Sequence, residues 1–370
     1  MANPFKPTAG AAPPRLIGRD DALDSFLEGL EDGPGAPGLL SIFTGPRGVG
    51  KTVMLNEAEN AARRHGWVVV TETATAGLKS RLSDAFHRKL EELTSPSPRR
   101  RLTGASAAGI SVTSQLLPER DPDWRLTVTA LLEVLARHET GLLITIDEIH
   151  AVDRTDLTEL AALVQHLIRE NLPISLVMAG IPKAVSDLLN ENVSTFLRRA
   201  DRVRLRDVPL SLVQEALAQT FNETGIVITD GQLRQAAAAT GGYPFLIQLV
   251  GYHVWRKAPD GKVTDESLAQ GLTAAKKRLG STVLEASLNG LSDVDKTFLL
   301  KMTEDDGQPS PIGDIARRLG ATSRYAQVYR RRLLDQGIIA EAGRGFVVFA
   351  VPHLGQYLRE HAAAKFDTFN

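Results

Sequence analysis

The chain has 370 residues, of which 43% are hydrophobic and 24% are charged, as in soluble globular proteins of two or three domains. Cysteine is absent, which excludes disulfides, thiolate metal sites and a cysteine nucleophile, and agrees with a reducing cytoplasm. The formal net charge is −1, so a nucleic-acid surface would have to be local. No apolar run reaches the roughly 18 residues of a membrane span, so we expect a cytoplasmic protein with no membrane partner.

The N-terminal residues 1–14 are rich in proline and alanine and lack the apolar core of a signal peptide. We therefore expect a disordered tail there. Helical spacing of Leu23, Phe26, Leu27 and Leu30 then predicts a first helix, which ends before the glycines and proline of residues 33–35.

Apolar strands alternate with amphipathic helices from residue 15 to residue 207. The predicted strands cover residues 39–43, 67–71, 142–146, 174–180 and 203–205. The predicted helices cover residues 53–65, 78–93, 124–138 and 155–169. Because most of these strands are apolar on both faces, we expect a parallel α/β sheet covered on both sides. Residues 94–122 are typical of a surface insertion, with the arginines at 99–101 in a solvated linker.

Two further patterns follow the α/β base. Residues 208–284 show helices at 210–224, 230–240 and 245–257 without intervening strands, which predicts a small helical lid. Residues 285–370 show three helices, ending at Met302, Leu319 and Gln336, and then strands at 338–341 and 345–349. Three helices and a hairpin are typical of a winged helix-turn-helix domain.

A complete phosphate-binding motif lies between the first strand and the helix after it. It has the pattern G-x-x-x-x-G-K-[ST]. Its members are Gly45, Pro46, Arg47, Gly48, Val49, Gly50, Lys51 and Thr52. The glycines let main-chain N–H groups surround phosphate oxygens at a helix N-terminus, which favours anions. We predict that Lys51 reaches the β- and γ-phosphates and that Thr52 ligates Mg²⁺, with Val53 completing the nucleotide-binding set.

An acidic pair closes the strand at 142–146. An acid at the end of an apolar strand beside the phosphate loop is delivered to the metal, so Asp147 is the second predicted Mg²⁺ ligand. Glu148 points differently and is the predicted general base that polarises the attacking water. Phosphoanhydride hydrolysis also needs positive charge on the transition state. Arg198 and Arg199, just before the last strand, are the candidates for an arginine finger toward a neighbouring subunit's nucleotide, and the sequence does not choose between them.

The C-terminal helices carry a local positive charge. Residues 311–344 contain seven arginines and three acids, a net charge of +4 in a chain whose total is −1. We predict that Arg324 and Gln327 reach base edges of double-stranded DNA, and that Arg330, Arg331 and Arg344 contact phosphates. A winged helix that binds a protein partner instead remains the alternative.

In their order along the chain, these features resemble an AAA+ P-loop ATPase. The matching residues are Ile17-Gly18-Arg19 before a helix, the loop at 45–52, the strand ending in Asp147-Glu148, and the arginines before the last strand, followed by a helical lid. The chain is similar to origin-recognition and archaeal initiator ATPases, to STAND-type and archaeal switch ATPases, and to bacterial helper ATPases of mobile elements. The resemblance implies that Ile17 lies against an adenine base, and therefore ATP and ADP as ligands.

Two departures from that family pattern bear on the rate. The usual polar sensor position falls at Met178-Ala179-Gly180, and the usual lid arginine is absent where Gly242-Tyr243-Pro244 opens a helix. The G-x-P pattern resembles that of switch ATPases and implies that Pro244 packs near the nucleotide. We therefore expect a slow ATPase, a switch that couples nucleotide state to DNA binding, in a chain that could also form a homo-oligomer. The alternative is a STAND-like regulatory ATPase whose winged helix binds a protein partner instead of DNA. A third hypothesis is a scaffold that binds ATP without hydrolysing it, and the intact Asp147-Glu148 pair disfavours this hypothesis.

Overall fold

Five parallel strands form the central sheet of the N-terminal half. The computed structural model describes residues 2–8, 10–19, 21–94, 124–151, 154–190 and 192–365. The strands are β1 (Leu40–Thr44), β2 (Val68–Thr73), β3 (Leu142–Asp147), β4 (Ile174–Gly180) and β5 (Asp201–Arg204). They lie in the order β2-β3-β4-β1-β5, with every neighbouring pair parallel. Because parallel strands end at one edge, the segments after β1 and β3 meet on the same side of the sheet.

Helices cover both faces of this sheet. They are α1 (Asp21–Asp32), α2 (Lys51–Arg64), α3 (Leu78–Thr94), α4 (Trp124–Arg137), α5 (Arg154–Arg169) and α6 (Pro182–Asn190). Ile42 and Ile144 point into the core under α3 to α6, whereas Phe43 and Leu143 point into the core under α1 and α2. The predicted two-sided parallel sheet is confirmed, although α6 had no counterpart in the prediction. Most of the insertion expected at 94–122 lies outside the described residues.

The next segment is helical, as predicted. Its helices are α7 (Leu210–Glu223), α8 (Asp230–Thr240), α9 (Pro244–Arg256), α10 (Asp265–Leu279) and α11 (Glu285–Leu288), with a π-helical turn at Gly280–Leu284. Thr229 and Thr264 begin α8 and α10 with reciprocal capping boxes, which satisfy N–H groups that a helix start leaves unpaired. Helix α10 was missing from the prediction.

The C-terminal segment combines helices with a small antiparallel sheet. The helices are α12 (Asp293–Met302), α13 (Ile312–Arg318), α14 (Ser323–Asp335) and α15 (Leu354–Lys365). The strands are β6 (Ser310–Pro311), β7 (Ile339–Glu341) and β8 (Phe346–Phe349), in the order β6-β8-β7. The predicted hairpin is confirmed as β7 and β8, whereas β6 and α15 were not predicted. One continuous apolar core runs from α7 to α15, so the boundary expected at 284 lies inside a shared core.

The N-terminal residues pack against the helical segment, contrary to the expected disordered tail. Phe5 is only 3% exposed, and its ring centroid lies 5.5 Å from that of Phe221. The Asn3 side-chain amide donates a hydrogen bond of 3.0 Å to the carbonyl of Tyr252. The composition of residues 1–14 suggested disorder because a single buried aromatic ring contributes little to an average over fourteen residues. In the described part of the chain, no helix has the length and apolar character needed to cross a membrane.

Candidate nucleotide-binding site

The phosphate loop joins the end of β1 to the first turn of α2. Gly48 and Gly50 have φ angles of +73° and +97°, in the left-handed region that side chains disfavour. Gly50 is also the residue that caps the N-terminus of α2. A Cβ atom on Gly48 would overlap the hydroxyl of Tyr243, whereas one on Gly50 would meet open space. The loop therefore needs Gly48 both for its backbone angle and for the close approach of the helical segment.

Lys51 is held beneath the loop by the loop's own carbonyl groups. Its Nζ donates hydrogen bonds of 3.0 Å to the carbonyl of Gly45 and 2.8 Å to that of Pro46. Burial lowers the pKa of Lys51, and the nearby carboxylates of Glu148 and Asp147 oppose that shift. The amine is thus largely removed from water within the phosphate loop, where the negative charge of a bound phosphate would attract it.

Thr52 and Asp147 meet across the junction of α2 and β3. The Thr52 hydroxyl donates a hydrogen bond of 2.6 Å to Oδ2 of Asp147. A hydroxyl and a carboxylate are hard oxygen ligands of the kind that Mg²⁺ accepts beside phosphate and water. The described residues contain no cluster of three or more His, Asp or Glu that could hold a metal alone. The donor set therefore fits Mg²⁺ brought with a nucleotide, not a metal bound by protein ligands only.

Glu148 is in a strained backbone conformation at the end of β3. Its φ angle is +56°, and its amide donates a hydrogen bond of 2.8 Å to Oδ1 of Asp147. Such strain in a residue with a side chain persists only where the surroundings enforce it, and it is common at functional sites. The carboxylate is 42% exposed and lies 3.1 Å from Nδ1 of His150. Burial is the main cause of a lowered pKa for His150, which favours a neutral imidazole beside the carboxylate.

Tyr243 connects the helical segment to the phosphate loop. Its ring is buried, and its hydroxyl donates a hydrogen bond of 3.1 Å to the carbonyl of Arg47. Burial raises the pKa of Tyr243, so the phenol stays protonated and can donate. Gly242, with φ at +78°, accepts a 2.8 Å hydrogen bond from the Val208 amide, and a Cβ there would overlap the Val208 carbonyl. Neither Tyr243 nor His150 was among the predicted site residues. In the sequence, Tyr243 is the middle residue of the G-x-P pattern, and His150 comes two residues after the acidic pair.

A cleft of about 680 Å³ opens above the loop, large enough for a nucleotide. Ile17, Pro244 and Glu148 line it. The loop contributes the adjacent lining residues Arg47, Gly48, Val49, Gly50, Lys51, Thr52 and Val53. Gly45, Pro46 and Asp147 lie behind this lining and contact Lys51 and Thr52 instead. The structure thus gathers all the predicted residues of the phosphate loop, the acidic pair, Ile17 and Pro244 at one site.

The two candidate finger arginines lie elsewhere. Arg198 and Arg199 end a 3₁₀ turn at Asn192–Arg199, and both are exposed. The Arg198 Nε donates a hydrogen bond of 2.8 Å to the carbonyl of Leu189. Neither lines the cleft of its own chain. A finger role toward a neighbouring subunit stays a prediction.

The predicted DNA contacts divide into two groups. Arg324, Gln327 and Arg331 are exposed on α14, and Arg344 is exposed in the turn between β7 and β8. Arg330 is different, because its guanidinium pairs with Glu341 at 2.7 Å and is only 20% exposed. Glu341 on β7 thus already pairs with Arg330, and the phosphate contact of Arg330 stays a prediction.

Sequence comparisons match two parts of the chain. Residues 15–178 match the family described as an AAA ATPase domain. Residues 281–358 match a family described as a domain of unknown function (DUF8462). No curated protein matches the sequence.

Solved structures are similar over nearly the whole chain. The Walker-type ATPase PABY2304 of Pyrococcus abyssi is 15% identical, with a TM-score of 0.68, and covers 93% of this chain and 96% of that one. The ORC2 protein of Aeropyrum pernix is 14% identical, with a TM-score of 0.62 and 97% of each chain covered. The Cdc6p protein of Pyrobaculum aerophilum is 16% identical, with a TM-score of 0.50 and 96% of each chain covered. The chain thus shares the fold of these solved structures, and its residues 15–178 are similar to the AAA ATPase domain family.

Proposed function

We propose that this chain binds ATP with Mg²⁺ in the cleft and hydrolyses it slowly, so that nucleotide state controls DNA binding by the C-terminal segment. The observation that carries the proposal is the grouping of Lys51, the Thr52–Asp147 pair and Glu148 around one loop. The Aeropyrum pernix ORC2 structure is described as ADPNP and ADP complexes, which supports an adenine nucleotide as the ligand here.

The residues divide the chemistry among them. Main-chain N–H groups of the loop and the Lys51 amine bind the phosphates, and Thr52 and Asp147 would hold Mg²⁺. When bound, the metal would neutralise part of the negative charge of the phosphates. Glu148 accepts a proton from the attacking water, and the His150 imidazole lies 3.1 Å from its carboxylate. The buried Met178 and Ala179 offer no polar side chain at the end of β4, which is consistent with slow turnover.

A route for coupling runs through the helical segment. Tyr243 ties that segment to the loop, and the same segment shares its apolar core with α12 to α15. A second contact joins the base to the C-terminal segment. A Cβ position on Gly337 lies 3.2 Å from the side chain of Ile181, and Nζ of Lys183 lies 3.8 Å from Oδ1 of Asp335. Loss of the γ-phosphate would therefore move α14 relative to the base.

The DNA part of the proposal concerns α12, α13, α14 and the three-stranded sheet, which we interpret as a winged helix. In that fold the third helix enters the major groove. Helix α14 would be that helix, with Arg324 and Gln327 toward base edges and Arg331 and Arg344 toward phosphates. Arg330 is left out of the contact set because Glu341 pairs with it.

A second candidate function has its own support on the same surface. Tyr325, Val328 and Phe346 are 43%, 55% and 40% exposed on α14 and β8. Large exposed apolar side chains of this kind suit a protein interface better than a phosphate backbone. The alternative is a regulatory ATPase whose C-terminal segment binds a protein partner.

Fluorescence anisotropy with a labelled DNA duplex separates the two. The DNA proposal predicts binding that weakens steeply with salt, differs between ATP and ADP, and falls in an Arg324→Gln/Arg331→Gln double variant. An Arg64→Gln/Arg137→Gln variant is the matched control, because both residues are exposed on helices of the base and the charge change is identical. Absence of binding at low salt with either nucleotide, or equal losses in both variants, would reject the DNA proposal.

A further inference from the structure

The N-terminal strap, residues 2–8 and 10–14, is anchored first in the helical segment. Phe5 fills a site beside Phe221, and Gly251 on α9 is opposite it, where a Cβ atom would overlap the Phe5 ring. The Lys6 amide donates a hydrogen bond of 3.2 Å to the side-chain oxygen of Gln248. Helix α9 thus presents Gly251 to the aromatic ring of the strap and Gln248 to the strap's main chain.

The strap's second anchor is on the α/β base. The carbonyl of Gly10 accepts a hydrogen bond of 3.1 Å from the Asn56 side-chain amide on α2. Gly10 also packs close to Thr52, with 3.7 Å between a Cβ position on Gly10 and Cγ2 of Thr52. Between its two anchors the strap crosses from the helical segment to the base, along the cleft.

Six strap residues line the cleft: Lys6, Pro7, Thr8, Gly10, Ala11 and Pro13. Gly10 lies beside Thr52 of the loop that would hold the phosphates, whereas Lys6 lies beside Gln248 on α9, so the strap extends from the phosphate end of the cleft toward the space left for the nucleoside. Outside the phosphate loop, the cleft lining includes apolar surfaces from Ile17, Val53 and Phe245, polar groups from Gln248 and Thr8, and the cationic groups of Lys6, Arg15, Arg19 and Arg278. Flat apolar walls with a few hydrogen-bonding groups at the edge suit a heterocyclic base better than a phosphate.

We propose that the N-terminal strap is a movable wall of the nucleoside end of the cleft, and that a bound nucleotide leaves only after the strap detaches from the base. This inference rests on the proposed ATP binding. The two anchors are unequal, since a buried aromatic ring fixes the strap to the helical segment and an exposed amide hydrogen bond fixes it to α2. The strap therefore moves with the helical segment and opens at Asn56, which couples nucleotide release to lid motion.

The absence of cysteine from the chain allows a direct test of this opening. Ala12→Cys and Asn56→Cys introduce the only two thiols, one on the strap and one on α2, and neither position lines the cleft. The protein is loaded with a fluorescent ADP analogue and then joined with a short bismaleimide that contains a cleavable disulfide. We expect release of the analogue to slow by about tenfold or more and to recover after reduction. Equal release rates before and after complete cross-linking would overturn the proposal.

A second experiment asks which end of the nucleotide the strap contacts. Calorimetry compares ATP with inorganic tripolyphosphate, which lacks the nucleoside, in wild type, Phe5→Ala and Phe5→Leu. We expect Phe5→Ala to weaken ATP binding by about tenfold without changing tripolyphosphate binding, and Phe5→Leu to restore most of the loss. Unchanged ATP binding in Phe5→Ala, or equal weakening of both ligands, contradicts the strap's role. Wild type that binds neither ligand would instead reject the proposed function itself.

Discussion

The phosphate loop and the exposed surface of α14 show two different ways to present functional side chains. At the loop, Lys51, Thr52 and Tyr243 are held by hydrogen bonds within the protein before any ligand arrives. On α14, Arg324 and Arg331 are exposed and have no ion-pair partner in the part of the chain that the structure describes. Changes at the loop should therefore alter both folding stability and ligand binding, whereas changes on α14 should alter binding alone.

A large effect on both stability and ATP affinity is expected from Gly48→Ala. The new methyl group would overlap the Tyr243 hydroxyl at a residue whose φ is +73°, so the loop and the helical segment must separate. We expect ATP affinity to fall by more than about 100-fold and the melting temperature to decrease. Gly290→Ala is the matched control, because its φ is +84° but nothing lies within 4 Å of the added methyl. Similar ATP affinity in Gly48→Ala and wild type would show that Tyr243 does not fix the loop.

A strong effect on turnover alone is expected from Glu148→Gln. The amide cannot accept the proton of water, so kcat should fall by about 10² to 10⁴, with little change in the affinity for ATP. Single-turnover hydrolysis and calorimetry measure the two quantities separately. Hydrolysis at the wild-type rate would remove Glu148 from the role of general base.

A smaller effect is expected from Tyr243→Phe. The substitution removes the hydrogen bond to the Arg47 carbonyl and leaves the ring in place, a loss of about 1 kcal/mol, or roughly fivefold in ATP affinity. Tyr252→Phe, whose hydroxyl contacts Arg256 at an exposed site, serves as the control. Calorimetry checks both, and equal affinities in the two variants would contradict the proposed link between loop and helical segment.

On α14 we expect altered binding without altered stability. Arg324→Gln/Arg331→Gln should leave the free energy of unfolding within about 0.5 kcal/mol of wild type. Its DNA affinity should depend less on salt, and the slope of log K against log salt should decrease by about 1 for each phosphate that the variant no longer binds. Urea unfolding and salt titrations of anisotropy give the two numbers. A large loss of stability would mean that these arginines have partners within the fold.

The smallest effect concerns His353, between β8 and α15. Burial and Lys276 lower the pKa of His353, against the opposing effects of the Thr240 backbone and Asp207. The unfolded chain therefore binds this proton at a higher pH than the folded chain does, so stability falls as pH drops through about 6.5. His353→Gln should make the melting temperature less dependent on pH between about 7 and 5. An unchanged pH dependence would show that His353 titrates alike in both states.

Those parts of the molecule that depend on local pattern could be predicted from the sequence. The glycine loop, the apolar strands and the acids that close β3 follow from residue spacing, so most of the sheet and the phosphate end of the site were predicted. The contacts of Tyr243 with Arg47 and of His150 with Glu148 were not, because each also depends on how the surrounding elements pack.

The features that were not predicted have physical reasons. Phe5 is buried because α9 has Gly251 opposite it, a pairing of residues far apart in the chain that no window of composition detects. Arg330 looked available for phosphate because its partner Glu341 is on the next strand, and the two meet only once β7 packs against α14. Short or weakly periodic elements such as α6 and β6 gave too little local signal.

Calorimetric titration of the purified protein with ATP in the presence of Mg²⁺ is the most decisive test of nucleotide binding at the phosphate loop. We expect one site per chain, no binding in Lys51→Ala, and circular dichroism of that variant like that of wild type. Absence of binding heat from wild type at several temperatures, or undiminished binding by a folded Lys51→Ala variant, would show that the loop is not an ATP site.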